Sequence, residues 1–525
     1  MKQTRNAWRF DLRNVAIAVA GALAMSASGA AAADLNWALR DSPRALFAPV
    51  NYSIDVMIMS LVQDTILKFG PDGSLQPDIA SSWEAPDPLT YIYTIRSDAK
   101  FSNGDPVTAA DVAFSLNLHL DPKVGSQEAS LLGSVASITA DGDKVTVKLK
   151  EPSSLWKFMP ASIAGYVWEK SSVEANLANY GTPQVLPIGS GPYKVTEYVP
   201  DSHITLERNP EYKGEQAQFD KINFRIIPDD QTRLLAMRAG EIDGTLAVPT
   251  SALDQWKQAA SIDTFSSFIW RGLTLDMTQA PFDDIHVRRA LNYAVDKTAI
   301  ADGLMAGLAV PSTTVNDPGV FAGVMTADEV KAGYDGIVSF PFDLDKAKAE
   351  LAQSKVPNGF AATLNVPEDS AVLGKIAQAL KADWAKIGVD LTLNLMPGGP
   401  RFQIILDHKP DLGIQVIGNV PDAPDPVQMA FQYFSSKQAV VNGNNSSNFR
   451  DDKVDALLDK ALQSTDAKQA ADLVMQAQAL ASQQVPLVSL IWQKSVVALK
   501  QGWTVDPQFN AFWNMTHWID QLKTN

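Results

Sequence analysis

Two periodicities alternate along this chain. Tyr91–Ile95 and Val145–Leu149 place apolar and polar side chains in turn, as half-buried strands do, and the turn signal Asp141-Gly142-Asp143 precedes the second. Elsewhere the period is that of a helix. Val454, Leu457, Leu458, Ala461 and Leu462 fall at i, i+3, i+4, i+7 and i+8 and predict a strongly amphipathic helix. Thr108 and Asp111 form a capping-box pattern ahead of Val112, Leu116 and Leu120. Asp229–Ala239 ends at Gly240, a suitable C-terminal cap, and Phe282-Asp283-Asp284 leads into a helix bearing Val287, Leu291, Ala294 and Val295. Helices and strands mixed over this length predict α/β lobes. Ligands of such folds sit in a crevice between lobes or beyond strand ends.

One apolar run has neither period. Val15 to Ala27 follows a basic stretch (Lys2, Arg5, Arg9, Arg13) and precedes Ala31-Ala32-Ala33, the layout of a secretory signal peptide over residues 1–33. The run is shorter than the roughly 18 residues that a membrane span needs. With no Arg-Arg pair before it, the general export route is expected.

Composition narrows the picture. The chain has no cysteine, so an exported form carries no disulfide, and its core alone must hold it together. It also lacks the cysteine of a bacterial lipid anchor, which favours a freely diffusing periplasmic protein. Removing residues 1–33 takes away four basic residues and one acidic one, so the formal net charge of −15 becomes −18. That balance argues against nucleic-acid and anionic-membrane partners. About 490 residues exceed one ordinary core and predict two or three domains.

Catalytic signatures are missing. His119, His203, His286, His408 and His517 include no H-x-x-x-H pair, there is no G-x-S-x-G elbow and no phosphate-binding G-x-x-x-x-G-K-[ST] loop. No metal site and no cofactor are expected. An exported hydrolase using a pair of carboxylates is the alternative from another class.

Several segments, in order, resemble the peptide/nickel/opine-type extracellular solute-binding proteins that serve ABC importers. The first, Leu75–Asn117, carries Pro77-x-x-Ala80-x-x-Trp83-Glu84 and then Phe101-x-x-Gly104-x-Pro106-x-Thr108-Ala109-x-Asp111-Val112. Pro187–Val195, Glu207–Gly214, Ile226–Gly244, Pro281–Ile300, Phe342–Leu351 and Asn448–Leu458 continue the series. Most of these residues read as scaffold, with Trp83, Tyr91 and Tyr93 as core and Gly189-Ser190-Gly191 as a tight backbone turn. The resemblance implies a two-lobed periplasmic-binding-protein fold of the large peptide-binding type. Lobe I would comprise 34–75, 187–272 and 491–525, an inserted subdomain 76–186, and lobe II 273–490. It further implies a monomer that closes on a small ligand and delivers it to a membrane permease.

The resemblance also nominates a site. In peptide-binding members the loop matching Gly418–Pro426 resembles Gly-Trp-x-x-Asp-x-x-Asp-Pro, and its first Asp pairs with the ligand's α-amino group. Asp422 stands at that position, the alternative being that it only stabilises a Pro-rich turn. The family's Trp is Asn419 here, which favours a more polar amine-bearing ligand such as a sugar–amino acid conjugate. Trp270 and Arg271 fall where family members line the cleft, Trp270 to stack and Arg271 to take a carboxylate. Arg401 is a second cationic candidate, Arg40–Arg44 a further lining segment, and His408 a lone histidine near the loop.

Overall fold

The architecture turns on two strands that belong to two cores at once. A computed structural model describes residues 34–524 apart from 51–53, 71–72, 131, 216–217, 369, 409–411, 422, 508, 510–511 and 513–515. The signal segment expected at 1–33 lies outside the described residues. Ser261–Leu275 and Leu487–Leu499 pair antiparallel along their lengths, from Ser261 opposite Leu499 to Thr274 opposite Leu487. Phe265, Val497 and Leu499 enter one hydrophobic core, whereas Leu273, Leu275, Val488, Leu490 and Ile491 enter another. The pairing slips between Ser266 and Ile269, where Phe268 has a φ of 51°, a left-handed conformation uncommon for an aromatic residue. The strands therefore change cores within their length, at an irregularity a few residues before Leu273.

On one side of this crossing, Leu35–Leu39 runs parallel to Lys221–Ile226 and to Gly244–Thr245, and His203–Arg208 and Tyr193–Val199 complete the sheet. On the other, Val389–Met396 and Phe360–Pro367 are parallel, and Ile414–Asn419 joins them to the first crossing strand. A separate four-stranded antiparallel sheet, Ala80–Asp87, Thr90–Ile95, Lys144–Leu149 and Val135–Asp141, occupies the span read as an inserted subdomain. No helix among the described residues is long and apolar enough to cross a membrane.

Local chemistry explains the elements. The helix Ala109–Leu118 starts at the capping box of Thr108 and Asp111. Asp229, Asp284 and Asp451 each cap a helix start. Gly189 and Gly191 are required by close approach: a Cβ on Gly189 would lie 1.9 Å from the Val62 carbonyl oxygen. Two expectations are corrected. Trp83 is 38% exposed rather than in the core, because it lies on an edge strand, Ala80–Asp87, whose residues after Ala80 are exposed on both faces. Leu120 lies beyond the helix end at Leu118 and is exposed.

The C-terminal segment returns to the first core. Trp518 meets Trp37 edge-on at 4.6 Å and donates its indole N–H to the Met57 carbonyl at 2.9 Å. Beside it, His517 Nε2 stands 3.2 Å from Asp64 Oδ1. Burial, then the charge of Asp64, pushes the Asp78 carboxyl up to about 7. Burial opposes protonation of His517, but Asp64, Asp78 and Asp520 outweigh it and raise the imidazole above its usual range. Both folded values lie above the unfolded ones, so this cluster's stabilisation is present at acid pH. For Asp78 it is full below its ordinary value of 3.8 and is lost as pH rises through about 7. For His517 it is full below 6.5 and is lost as pH rises above that value. Thermal unfolding across the range from about pH 4 to about pH 8 should show the cluster's contribution declining, and Asp78→Asn should flatten the profile. An unchanged slope in the variant would contradict the assignment.

Candidate functional site

The parallel strands Phe360–Pro367, Val389–Met396 and Ile414–Asn419 end at one edge of their sheet, the side on which open α/β sheets hold ligands. Register places Asn419 opposite Trp270 and Gly418 opposite Arg271, so the first crossing strand reaches this edge beside the loop that carries Asp422. Asp422 itself lies outside the described residues. Its neighbours are built into the fold. Asp425 caps the helix Pro426–Phe434, accepting from the Val427 N–H at 2.7 Å, with Pro426 at the first helical position. The Asp-Pro pair in the motif is thus a helix start. Burial raises the Asp425 carboxyl to about 6, against the Val427 N–H and the charge of Lys157, which lower it.

The same loop touches the first lobe. Ala423 is fully buried in the first core, and the Ser154 N–H donates to the Leu462 carbonyl at 2.6 Å. The segment that follows Ile414–Asn419 therefore packs into the first core as well as its own sheet.

Each remaining candidate has a definite place. Trp270 is 0% exposed, donates its indole N–H to Ser489 Oγ at 2.7 Å and lies edge-on to Tyr433 at 5.0 Å. It has no face for a ligand here and acts as core. Gly272 makes room for it, since a Cβ there would stand 2.3 Å from Trp270 Cζ2. Asn419 donates its amide to Tyr433 Oη at 3.1 Å and to Gln432 Oε1 at 3.3 Å, while its Oδ1 accepts from Val420 N–H at 2.9 Å. The amide that replaces the family's indole holds the loop to the following helix.

Arg401 is buried in the helix Gly398–Leu406. Its guanidinium donates to the Asn365 carbonyl at 3.2 Å and to the Val416 carbonyl. The expected ligand cation is instead a clasp between helix and sheet. Arg401→Met should cost about 1–3 kcal/mol, because buried carbonyls lose their donor, with the loss read from denaturant unfolding. A variant as stable as the parent would contradict the clasp. Arg40 and Asp41 pair with each other at 3.8 Å on the surface. His408 Nε2 faces the Asn445 carbonyl at 3.1 Å, and the described residues contain no group of three or more metal-ligating side chains.

Arg271 differs from all of these. Its Nε donates to Gln493 Oε1 at 2.6 Å, and burial lowers its pKa to about 10. Sequence reasoning missed Gln493 and Gly418 as its partners. They lie far away along the chain and meet it only through strand register, which leaves no local signal.

Comparison with known proteins agrees with this geometry. The family described as bacterial extracellular solute-binding proteins, family 5 Middle, matches residues 74–440. Heme-binding protein A of Haemophilus influenzae is 25% identical, over 84% of this chain and 84% of that protein. The periplasmic binding protein DppA from Helicobacter pylori, ABC transporter-associated and solved with the peptide STSA, superposes with a TM-score of 0.80 at 22% identity, covering 94% of this chain and 98% of that one. The binding protein AgaA of A. tumefaciens R10, solved with agropinic acid, gives 0.79 at 26% identity, covering 94% and 99%.

Proposed function

Because this chain belongs to the bacterial extracellular solute-binding proteins of family 5, we propose that it is the periplasmic capture component of an ABC importer. It closes two lobes around a short peptide or a related amine-bearing small molecule and hands the closed complex to a membrane permease. The observation that carries the reading is the pair of antiparallel strands that leave one core and enter another at a bulge. A ligand touching both lobes makes its full set of contacts only when they are shut, so it shifts the population toward closure.

Asp422 is the proposed anchor for the ligand's ammonium group, through a charge-assisted hydrogen bond in a water-poor cleft. The family's indole is absent, and Asn419 is committed to Tyr433 and Gln432, so the wall beside the amine is more polar than a peptide site's. This suits sugar–amino acid conjugates as well as short peptides. The site performs no chemistry in this reading.

The test is a thermal-shift panel of short peptides, their N-acetylated forms and opine-type conjugates, with each ligand recovered after prolonged incubation. A ligand that binds only the folded state raises the midpoint. Free-amine members should do so and come back unchanged, whereas turnover of a recovered ligand would point to the hydrolase.

A further inference from the structure

Between the second crossing strand and the helix Ala467–Gln484 lies a small chamber that the capture reading leaves unused. Its volume is about 30 Å³, room for one or two bodies the size of a water molecule. Lys297, Thr313, Thr314 and Gln478 are among the residues of its wall, and no described carboxylate lines it.

Most polar groups of the wall are spent on the protein. Asn292 donates its amide to the Arg288 and Leu487 carbonyls, and Thr314 Oγ1 donates to Gln478 Oε1 at 2.8 Å. Ser489 Oγ meets Ser312 Oγ at 2.7 Å and donates to the Thr314 carbonyl at 3.0 Å. Three donors are left over. Gln478 is 1% exposed, yet its amide nitrogen meets only Met475 Sδ, at 4.0 Å, a weak acceptor. Thr313 Oγ1 is shut off from solvent and has no hydrogen-bond partner among the described residues. The partly buried Lys297 makes one long hydrogen bond, from Nζ to the Ser312 carbonyl at 3.4 Å. Burial alone pulls its ammonium down to about 8, with no carboxylate near enough to oppose that.

Water fits such a wall poorly. It needs acceptors for its own two protons and leaves the ammonium without a counter-charge. An anion accepts from all three donors and supplies that charge. The volume admits a single-atom anion and has no space for an amino acid. A chain of hydrogen bonds then leads from the chamber to the crossing strands, through Gln478, Thr314, Ser489 and the Trp270 indole.

We propose that this chamber is a binding site for one small inorganic anion of chloride size, held by Lys297, Thr313 and Gln478, and that the anion braces the second crossing strand against the helix Ala467–Gln484. The site is separate from the Asp422 loop and does not depend on which solute is captured.

The test follows thermal unfolding of the whole protein at constant ionic strength, with sodium gluconate exchanged for sodium chloride up to about 200 mM. A ligand of the folded state raises the midpoint, here by about 1–2 °C in the parent. Lys297→Met should unfold at the same midpoint in both salts, and Thr313→Val should need about 10-fold more chloride for the same rise. An equal rise in Lys297→Met, or no rise in the parent, would overturn the proposal. Crystals of the parent grown in sodium bromide should show anomalous scattering within hydrogen-bond reach of Lys297 Nζ and Thr313 Oγ1. Water alone at that place overturns the site, and a bromide peak beside an indifferent midpoint marks an adventitious ion only and overturns it too. If Lys297→Met does not fold, Thr313→Val and the bromide map decide.

Discussion

Asp422→Asn is expected to remove most of the thermal stabilisation that an amine-bearing ligand gives this protein. The carboxylate meets an ammonium group inside a shut cleft, and the substitution leaves that ammonium desolvated opposite a neutral amide. Breaking one side of such a pair costs about 2–5 kcal/mol, roughly 30-fold to several-thousand-fold in Kd. At a ligand concentration of about 100 Kd, binding stabilises the folded state by about 2.7 kcal/mol. A 100-fold loss of affinity would cut that to about 0.4 kcal/mol, and the shift would nearly vanish. The ligand-free midpoint should move little. N-acetylated ligands, which lack the charge, should bind parent and variant alike. A full shift retained in Asp422→Asn would remove this residue from the site.

Trp270→Ala carries the second large effect, and it is one of stability. The indole is wholly enclosed, its N–H is bonded to Ser489, and Ser489 in turn bonds Ser312 and the Thr314 carbonyl. Truncation leaves a cavity beside Tyr433 and strips Ser489 Oγ of a donor. Large aromatic-to-alanine changes in cores cost about 3–5 kcal/mol. The variant should therefore unfold at lower denaturant in the absence of ligand. A residue that only stacked on the ligand would give the opposite pattern, an unaltered ligand-free transition and a weakened affinity.

The contrast between Trp270 and its neighbour shows how far a sequence reaches here. Helix starts were legible because their causes are local: Thr108 with Asp111, and Asp229 and Asp284 ahead of apolar residues. The two-lobed scaffold was legible from an ordered series of motifs. Which side chains reach the cleft was not, because that depends on which face of a crossing strand each occupies and where the bulge falls. Trp270 and Arg271 are adjacent in sequence, yet one is enclosed against Tyr433 and the other points its guanidinium over Gly418. Arg401 looked like a free cation because the carbonyls it clasps, on Asn365 and Val416, have no sequence signature. Trp83 misled for a related reason, since an aromatic residue on an edge strand keeps the composition of core without its burial.

The chain lacks cysteine, so two introduced thiols would carry labels without competition. Exposed Glu151 and Thr465 flank the contact between Ser154 and Leu462 where the lobes meet. The distance between labels at these two positions, read with and without an amine-bearing ligand that shifts the unfolding midpoint, tests capture by closure most directly. The account predicts a broad or long distribution in the free protein that collapses to one short distance on binding, with the ligand recovered intact. A distribution that the bound ligand leaves unchanged would contradict it.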